Sequence, residues 1–205
     1  MRDKKGAFIV FEGIDGSGKT TQINLLDEHL KSKGYDTLTT KEPTNGLGRK
    51  IREVLRGDTT MTSDHLQALF SLDRAIHLMN DIEPALKQNK IVICDRYEWS
   101  TLAYGAASGA DCAFLQEIND YFRKPDLTLL IDIDPDRANG RLKDRTTVKK
   151  EIFENLKSLR KIRAAYLDLS SKFGFKVIDG SGSVTEVNKS VVKAVDEFLS
   201  KRDEM

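Results

Sequence analysis

Residues 7–21, AFIVFEGIDGSGKTT, constrain this chain more than any other stretch. The apolar run 7–11 reads as a short buried strand, and residues 22–33 carry Ile23, Leu26 and Leu30 on one helical stripe. Between strand and helix stands G-x-x-x-x-G-K-T, which is Gly13, Ile14, Asp15, Gly16, Ser17, Gly18, Lys19 and Thr20, followed by Thr21. Glycines let the backbone curl through φ values that a Cβ resists. The curled amides then point at phosphate oxygens, and the following helix adds its positive end. Lys19 reaches the outer phosphates of a nucleoside triphosphate, and the Thr20 hydroxyl ligates Mg²⁺. A chance glycine turn does not need a strand, a loop and a helix in that order, and all three are present.

With 205 residues, the chain suits one α/β domain spanning 1–205. Its 33 basic and 32 acidic side chains leave a formal charge of +1, so a partner that is tracked along a nucleic-acid backbone is not expected. Cys94 and Cys112 form neither a disulfide framework nor a metal cluster. The polar residues 1–5 lead straight into the first strand, no apolar run approaches membrane-spanning length, and the cytoplasm is the expected compartment. Further strands are expected at 36–40, 90–94, 127–133 and 175–178. Helices are expected at 47–55, from a Ser63 cap through Met79, onward from Pro84, and at 98–104, 112–122, 136–142, 150–172 and 184–199. Strands that alternate with helices argue βαβ units and a parallel sheet.

The loop implies a triphosphate but leaves open the fate of its γ-phosphate, because switches, ATPases and small-molecule kinases all use it. Three other groups bear on that. Asp95-Arg96-Tyr97 follows a dense apolar strand, at the carboxyl end where sites gather in open parallel sheets. Asp95 is placed to hold Mg²⁺ or its waters beside Thr20, and Arg96 either clamps a phosphate with parallel N–H bonds or forms a surface ion pair. Arg141, Lys143 and Arg145 lie in a short polar segment, 137–149, which reads either as a lid over bound phosphates or as a solvated basic face. Phe70 and Arg74 are one helical turn apart and read either as a base-stacking ring with a carbonyl-binding guanidinium or as ordinary core.

Taken together, FEGIDGSGKTTQ from Phe11, Glu42-Pro43-Thr44, Leu69 through Arg74, Asp95-Arg96-Tyr97, Ser100-Thr101 and Ala103-Tyr104 resemble the thymidylate kinases over nearly the whole chain. The resemblance implies a three-layer P-loop NTPase fold, with a five-stranded parallel sheet flanked by helices and a short lid at 137–149. It implies transfer of the γ-phosphoryl group of ATP to dTMP with Mg²⁺, in a homodimer whose contact surface includes the helix from Ser63 to Asp81. Residue by residue, it implies that Asp15 faces the sugar 3′-hydroxyl of dTMP and that Arg52 and Arg96 bind the dTMP phosphate. Phe70 stacks on thymine, Arg74 contacts its O4, and Tyr104 rejects a 2′-hydroxyl. Some members carry a catalytic arginine in the phosphate loop. Here Gly16 and Ser17 close that route, so Arg141 and Arg145 of the lid are the candidates, with Lys143 behind them. Gly105 stands where the family often has a base-contacting glutamine, so thymine is expected to be read by Arg74, Ser100, Thr101 and waters, or the preferred substrate differs slightly.

The expected chemistry needs no protein nucleophile and no strong general base, because the acceptor is already an anion and the work is positioning and charge neutralisation. Lys19, Arg96 and a lid arginine carry that work, with Mg²⁺ on Thr20 and reached through water by Asp95 or Glu12. His29, His65 and His77 receive structural or surface readings. The competing readings are a deoxynucleoside or other nucleoside-monophosphate kinase, for which Glu42 and Asp95 are available acids, and a P-loop ATPase switch. Partners are expected to be small molecules and a second copy of the chain, with no nucleic acid and no membrane.

Overall fold

In the computed structural model, residues 5–143, 153 and 155–203 are described. Strands β1 (Ala7–Glu12), β2 (Thr37–Lys41), β3 (Ile91–Asp95), β4 (Leu127–Asp132) and β5 (Lys176–Asp179) form a five-stranded sheet in the order β2-β3-β1-β4-β5. Every neighbouring pair is parallel; β1 pairs Ala7 with Ile91 on one side and Ile9 with Leu127 on the other. All six residues of β1 are buried, as a central strand covered on both faces requires. The pleat divides them. Ala7, Ile9 and Phe11 face α1 (Lys19–Ser32) and α9 (Val184–Asp203), packing with Leu26, Leu30, Val191 and Val195. Phe8 and Val10 face Leu78, Ile82, Ala85 and Tyr97 on the opposite side. Helices therefore cover both faces of the sheet, giving three layers.

The second face is completed by α5 (Glu98–Ser108) and α8 (Leu156–Phe173), whose Leu102, Ala103, Leu159 and Ile162 meet Leu130 and Ile133. Between them in chain order come α6 (Cys112–Asp120) and α7 (Pro135–Lys143). On the β2 side lie α2 (Gly48–Leu55), α3 (Ser63–His77), a single π-helical turn (Leu78–Ile82) and α4 (Glu83–Lys87).

Three boundaries differ from the sequence expectation for identifiable reasons. Thr62, not Ser63, caps α3, its hydroxyl accepting from the His65 amide at 3.3 Å. Helix α5 continues through the glycine-alanine stretch to Ser108, because Gly105 lets α6 approach: a Cβ there would lie 2.4 Å from Leu115 Cδ1. Helix α8 begins at Leu156, where Asn155 Oδ1 accepts from the Ser158 amide at 2.9 Å; residues 150–152 and 154 of the expected helix lie outside the described residues.

A buried carboxyl braces the start of α5 from the side away from the loop. Glu98 is fully buried; Oε2 accepts from Lys124 Nζ at 2.5 Å, while Oε1 has no partner among the described residues. Burial raises its pKa from 4.5 to about 7, against the hydrogen bond and charge of Lys124. The folded protein thus holds this proton more tightly than the unfolded chain. The stabilisation is complete below about pH 4.5 and is lost as pH rises through about 7. Urea unfolding of wild type and Glu98→Gln between pH 4.5 and 7.5 is expected to show an extra decline in the wild type on the order of 2–3 kcal/mol. Equal slopes in the two proteins would remove this assignment.

Candidate active site

All five strands end on a charged residue at the carboxyl edge: Glu12, Lys41, Asp95, Asp132 and Asp179. The loop that leaves β1 curls over this edge. Gly16, at φ +83°, lies so close to α7 that a Cβ would stand 2.5 Å from Ala138 O, and Gly13, at φ +141°, would meet Ile131 O at 2.6 Å. Lys19 is buried and folds back on its own loop, donating to the carbonyls of Gly13 at 3.0 Å and Ile14 at 3.1 Å. Burial first, and Arg96 next, push its pKa down to about 8 against the pull of Asp95, Asp15 and Glu12. Thr20 Oγ1 donates to Asp95 Oδ2 at 3.1 Å, while Asp95 Oδ1 is buried without a partner among the described residues.

Arg96 occupies the left-handed region at φ +71°, an outlier for a side chain with a Cβ, and the kind of strain that clusters at sites. The kink sends its guanidinium back towards the loop. Nη2 donates to Asp15 Oδ1 at 2.5 Å, and Nη1 to Ser100 Oγ at 3.2 Å and to the Tyr166 hydroxyl at 3.1 Å. The guanidinium also lies 4.9 Å over the Tyr104 ring, and the Tyr104 hydroxyl donates to Asp15 Oδ2 at 2.7 Å. Burial works against the charge on Asp15, but Arg96 and Lys19 outweigh it and hold the carboxyl below its usual value.

Two cavities meet at this pair. One, of about 130 Å³, lies over the loop and is bordered by Gly16, Gly18, Lys19, Thr20 and Thr21. The other, of about 230 Å³, is bordered by Arg52 from α2, Gln67 and Phe70 from α3, and Ser100, Thr101 and Tyr104 from α5. Asp15, Arg96, Lys41 and Glu42 border both. Arg52 is steadied by the 43–44 loop, donating to Pro43 O at 3.1 Å and Thr44 O at 2.9 Å. A third groove, of about 390 Å³, continues from Gly16, Ser17 and Gly18 beneath Arg141 to Gly182, Ser183 and Val184. Arg141 Nη1 donates across it to the carbonyls of Gly16 at 3.3 Å and Ser17 at 3.4 Å.

Two expected site residues have their polar atoms engaged by other groups of the protein. The Glu12 carboxylate, expected to reach the metal through water, is fully buried and taken up by four protein donors. Oε1 accepts from the amides of Tyr97 and Ser100, and Oε2 from the hydroxyls of Ser100 and Tyr166. It holds the start of α5 against β1. Arg74, expected on the base, is 1% exposed and borders neither cavity. Its Nε and Nη2 donate to Glu42 Oε2 at 3.1 and 2.7 Å, Nη2 also donates to Thr101 Oγ1 at 3.1 Å, and Nη1 donates to Asn119 Oδ1. Arg145 and the lid beyond Lys143 lie outside the described residues.

Tyr166 and Gln67 escape a reading of the sequence. Tyr166 sits on the apolar stripe of α8 with Leu159 and Ile162, where a tyrosine reads as core; only the folded chain brings its hydroxyl to Arg96, Ser100 and Glu12. His77 does take the structural role expected of it, buried between Thr40 Oγ1 at 2.6 Å and Glu42 Oε1 at 3.3 Å.

Among families of known proteins, the thymidylate kinase profile matches residues 11–191. A probable thymidylate kinase of Pyrococcus horikoshii is 39% identical over 203 residues, covering 95% of this chain and 98% of that protein. One from Methanocaldococcus jannaschii is 42% identical over 187 residues, covering 90% and 93%. A thymidylate kinase of Desulfotalea psychrophila is 35% identical over 200 residues, covering 97% and 98%.

Proposed function

We propose, from the premise that this chain belongs to the thymidylate kinase family, that its loop cavity holds the donor phosphates and its neighbouring cavity the acceptor nucleotide. The protein is an ATP-dependent kinase that converts dTMP to dTDP. The observation that supports this division of the site is the shared wall. Arg96 and Asp15 border both cavities, so an acceptor phosphate on Arg96 lies next to the end of the loop that takes the γ-phosphate. An acceptor-phosphate oxygen forms the new P–O bond as the bond to the β-phosphate bridge breaks, and ADP leaves.

Arg52 and Arg96 bind the acceptor phosphate in this reading, and Phe70 stacks on the base. Arg96 exchanges part of its hold on Asp15 for the phosphate. This leaves Asp15, still held by Tyr104, able to accept from a sugar hydroxyl. Ser100 and Thr101 supply further hydroxyls to the same wall, and the Tyr104 ring fills the space a 2′-hydroxyl would need. Residues 13–21 cradle the donor phosphates, and the groove beneath Arg141 suits the nucleoside half of ATP. Lys19 turns from the loop carbonyls to the phosphates. Arg141, already against Gly16 and Ser17, is the described lid arginine positioned to neutralise charge on the transferred group. Residues 1–205 act as a single domain, with 137–149 as its lid.

Family membership implies Mg-ATP. The donor set fits: Thr20 Oγ1 and Asp95 would hold Mg²⁺ directly or through water, and the buried Asp95 Oδ1 is open to that role. The described residues contain no group of three or more His, Cys, Asp or Glu that could hold a metal, in keeping with an ion that takes few protein ligands beside phosphate and water. When bound, Mg²⁺ would neutralise charge on the β- and γ-phosphate oxygens.

No helix among the described residues is long and apolar enough to cross a membrane. We further propose a homodimer through α3 and the π-helical turn that follows it, which together expose Leu72, Ile76 and Met79 at one-turn spacing. Sedimentation of the purified chain as a monomer at micromolar concentration would count against it. The activity is tested by ADP release in a coupled assay with Mg-ATP and dTMP, dUMP, dCMP or thymidine. We expect dTMP to be preferred and hydrolysis without an acceptor to be slow. Equal ADP release with and without dTMP would refute the assignment.

A further inference from the structure

The acceptor cavity contains one amide with nothing to bind. Gln67, on α3, is 1% exposed and borders the cavity beside Phe70 and Thr101. Its Nε2 is buried and without a hydrogen-bond partner among the described residues. Its backbone carbonyl is engaged, Gln67 O accepting from Ser71 Oγ at 3.1 Å. Folded proteins rarely leave such a donor unpaired, because burial has already cost it its water. A partner that arrives with the ligand removes the anomaly.

The stem of the side chain packs close to Gly105 of α5. Gln67 Cγ lies 3.5 Å from the point a Cβ on Gly105 would occupy, and Leu115 Cδ1 would lie 2.4 Å from the same point. The bare backbone of Gly105 therefore makes room for Leu115, which a Cβ there would displace, while the Gln67 stem lies at van der Waals distance from the same point. Arg74, on the same helix, is spent on Glu42, Thr101 and Asn119.

We infer that Gln67 is a specificity-determining ligand of the base. A primary amide offers an N–H donor beside a C=O acceptor, and the amide of glutamine pairs two-pronged with a base edge that offers the reverse. The imide edge of a 2,4-dioxopyrimidine is such an edge: its N3–H donates to Oε1 while its O4 accepts from Nε2. The edge that Gln67 reads is thus the unsubstituted imide of the acceptor's base. This inference rests on the reading of the cavity as the acceptor site.

The test compares wild type, Gln67→Met and Gln67→Leu with dTMP and with its N3-methyl derivative, which lacks the donor. Wild type is expected to favour dTMP by about 10- to 100-fold in kcat/KM, because a polar site left unpaired rejects the analogue. Both variants are expected to lose most of that preference, through a higher KM for dTMP at an unchanged KM for ATP. Their thermal midpoints without ligand should match or exceed wild type, since an unpaired buried amide has been removed. A merely structural Gln67 would instead leave the dTMP to N3-methyl-dTMP ratio untouched in both variants, and that result overturns the inference. Wild-type protein that phosphorylates dTMP and its N3-methyl derivative equally also overturns it. Protein that does not phosphorylate dTMP at all refutes the acceptor-site reading along with it.

Discussion

Replacing Lys19 by methionine is expected to lower the rate of dTMP phosphorylation by about 10²–10³-fold while leaving the fold intact. In the proposed mechanism the ammonium meets negative charge on the β- and γ-phosphates as the group moves, and methionine keeps the length of the stem without that charge. The stability half of the expectation follows from the same residue's burial. Lys19 is 6% exposed, and its pKa is driven down to about 8, chiefly by that burial, so the folded protein carries this charge at a cost. Its two hydrogen bonds to Gly13 O and Ile14 O offset part of that cost. The thermal midpoint of Lys19→Met should therefore lie within a few degrees of wild type or above it. The coupled ADP assay and a circular-dichroism melt read the two halves separately. A methionine variant that turns over near the wild-type rate would remove Lys19 from the mechanism.

Arg74→Leu is expected to act on the fold rather than on the base, costing about 3–5 kcal/mol of unfolding free energy. Arg74 and Glu42 form an ion pair at 2.7 Å with side chains 1% and 2% exposed, and the guanidinium stacks 4.8 Å over Tyr97. Removing the cation leaves the Glu42 carboxylate buried, facing His77 alone at 3.3 Å. It also strands Thr101 Oγ1 and Asn119 Oδ1. Glu42 carries the loop whose Pro43 and Thr44 carbonyls hold Arg52, so KM for dTMP should rise as a secondary effect. The double variant Glu42→Gln, Arg74→Leu should recover part of the loss in urea unfolding, since the unpaired charge is then gone. If Arg74→Leu unfolds at the wild-type urea concentration and alters only KM for dTMP, Arg74 is a base ligand, as the sequence alone suggested.

The contrast between Lys19 and Arg74 shows what kind of information the sequence carries. The phosphate loop is legible because its chemistry is local. Glycines, lysine and threonine act within a few residues of one another, and the loop is framed by a period-2 strand and a period-3.6 helix. The parallel sheet is legible for the same reason, through dense apolar runs such as Ile91–Asp95 that end at the site. Arg96 follows from its position after such a strand. Its strained φ, and its ties to Asp15 and Tyr166, which lie 81 and 70 residues away in the chain, do not follow from that position.

What the sequence determined by itself was the phosphate-loop motif and the set of groups proposed to touch phosphate, together with the α/β frame that carries them, because each is written in consecutive residues. The tertiary structure decided which polar side chains are free to act. Glu12 and Arg74 carry the right chemistry for metal and base, yet four donors occupy the first, and Glu42, Thr101 and Asn119 occupy the second. Gln67, which looks like an interior residue of an amphipathic helix, keeps its buried Nε2 without a partner among the described residues. Whether a donor or acceptor is available depends on which distant partners reach it first, and that competition is settled only when the chain is packed.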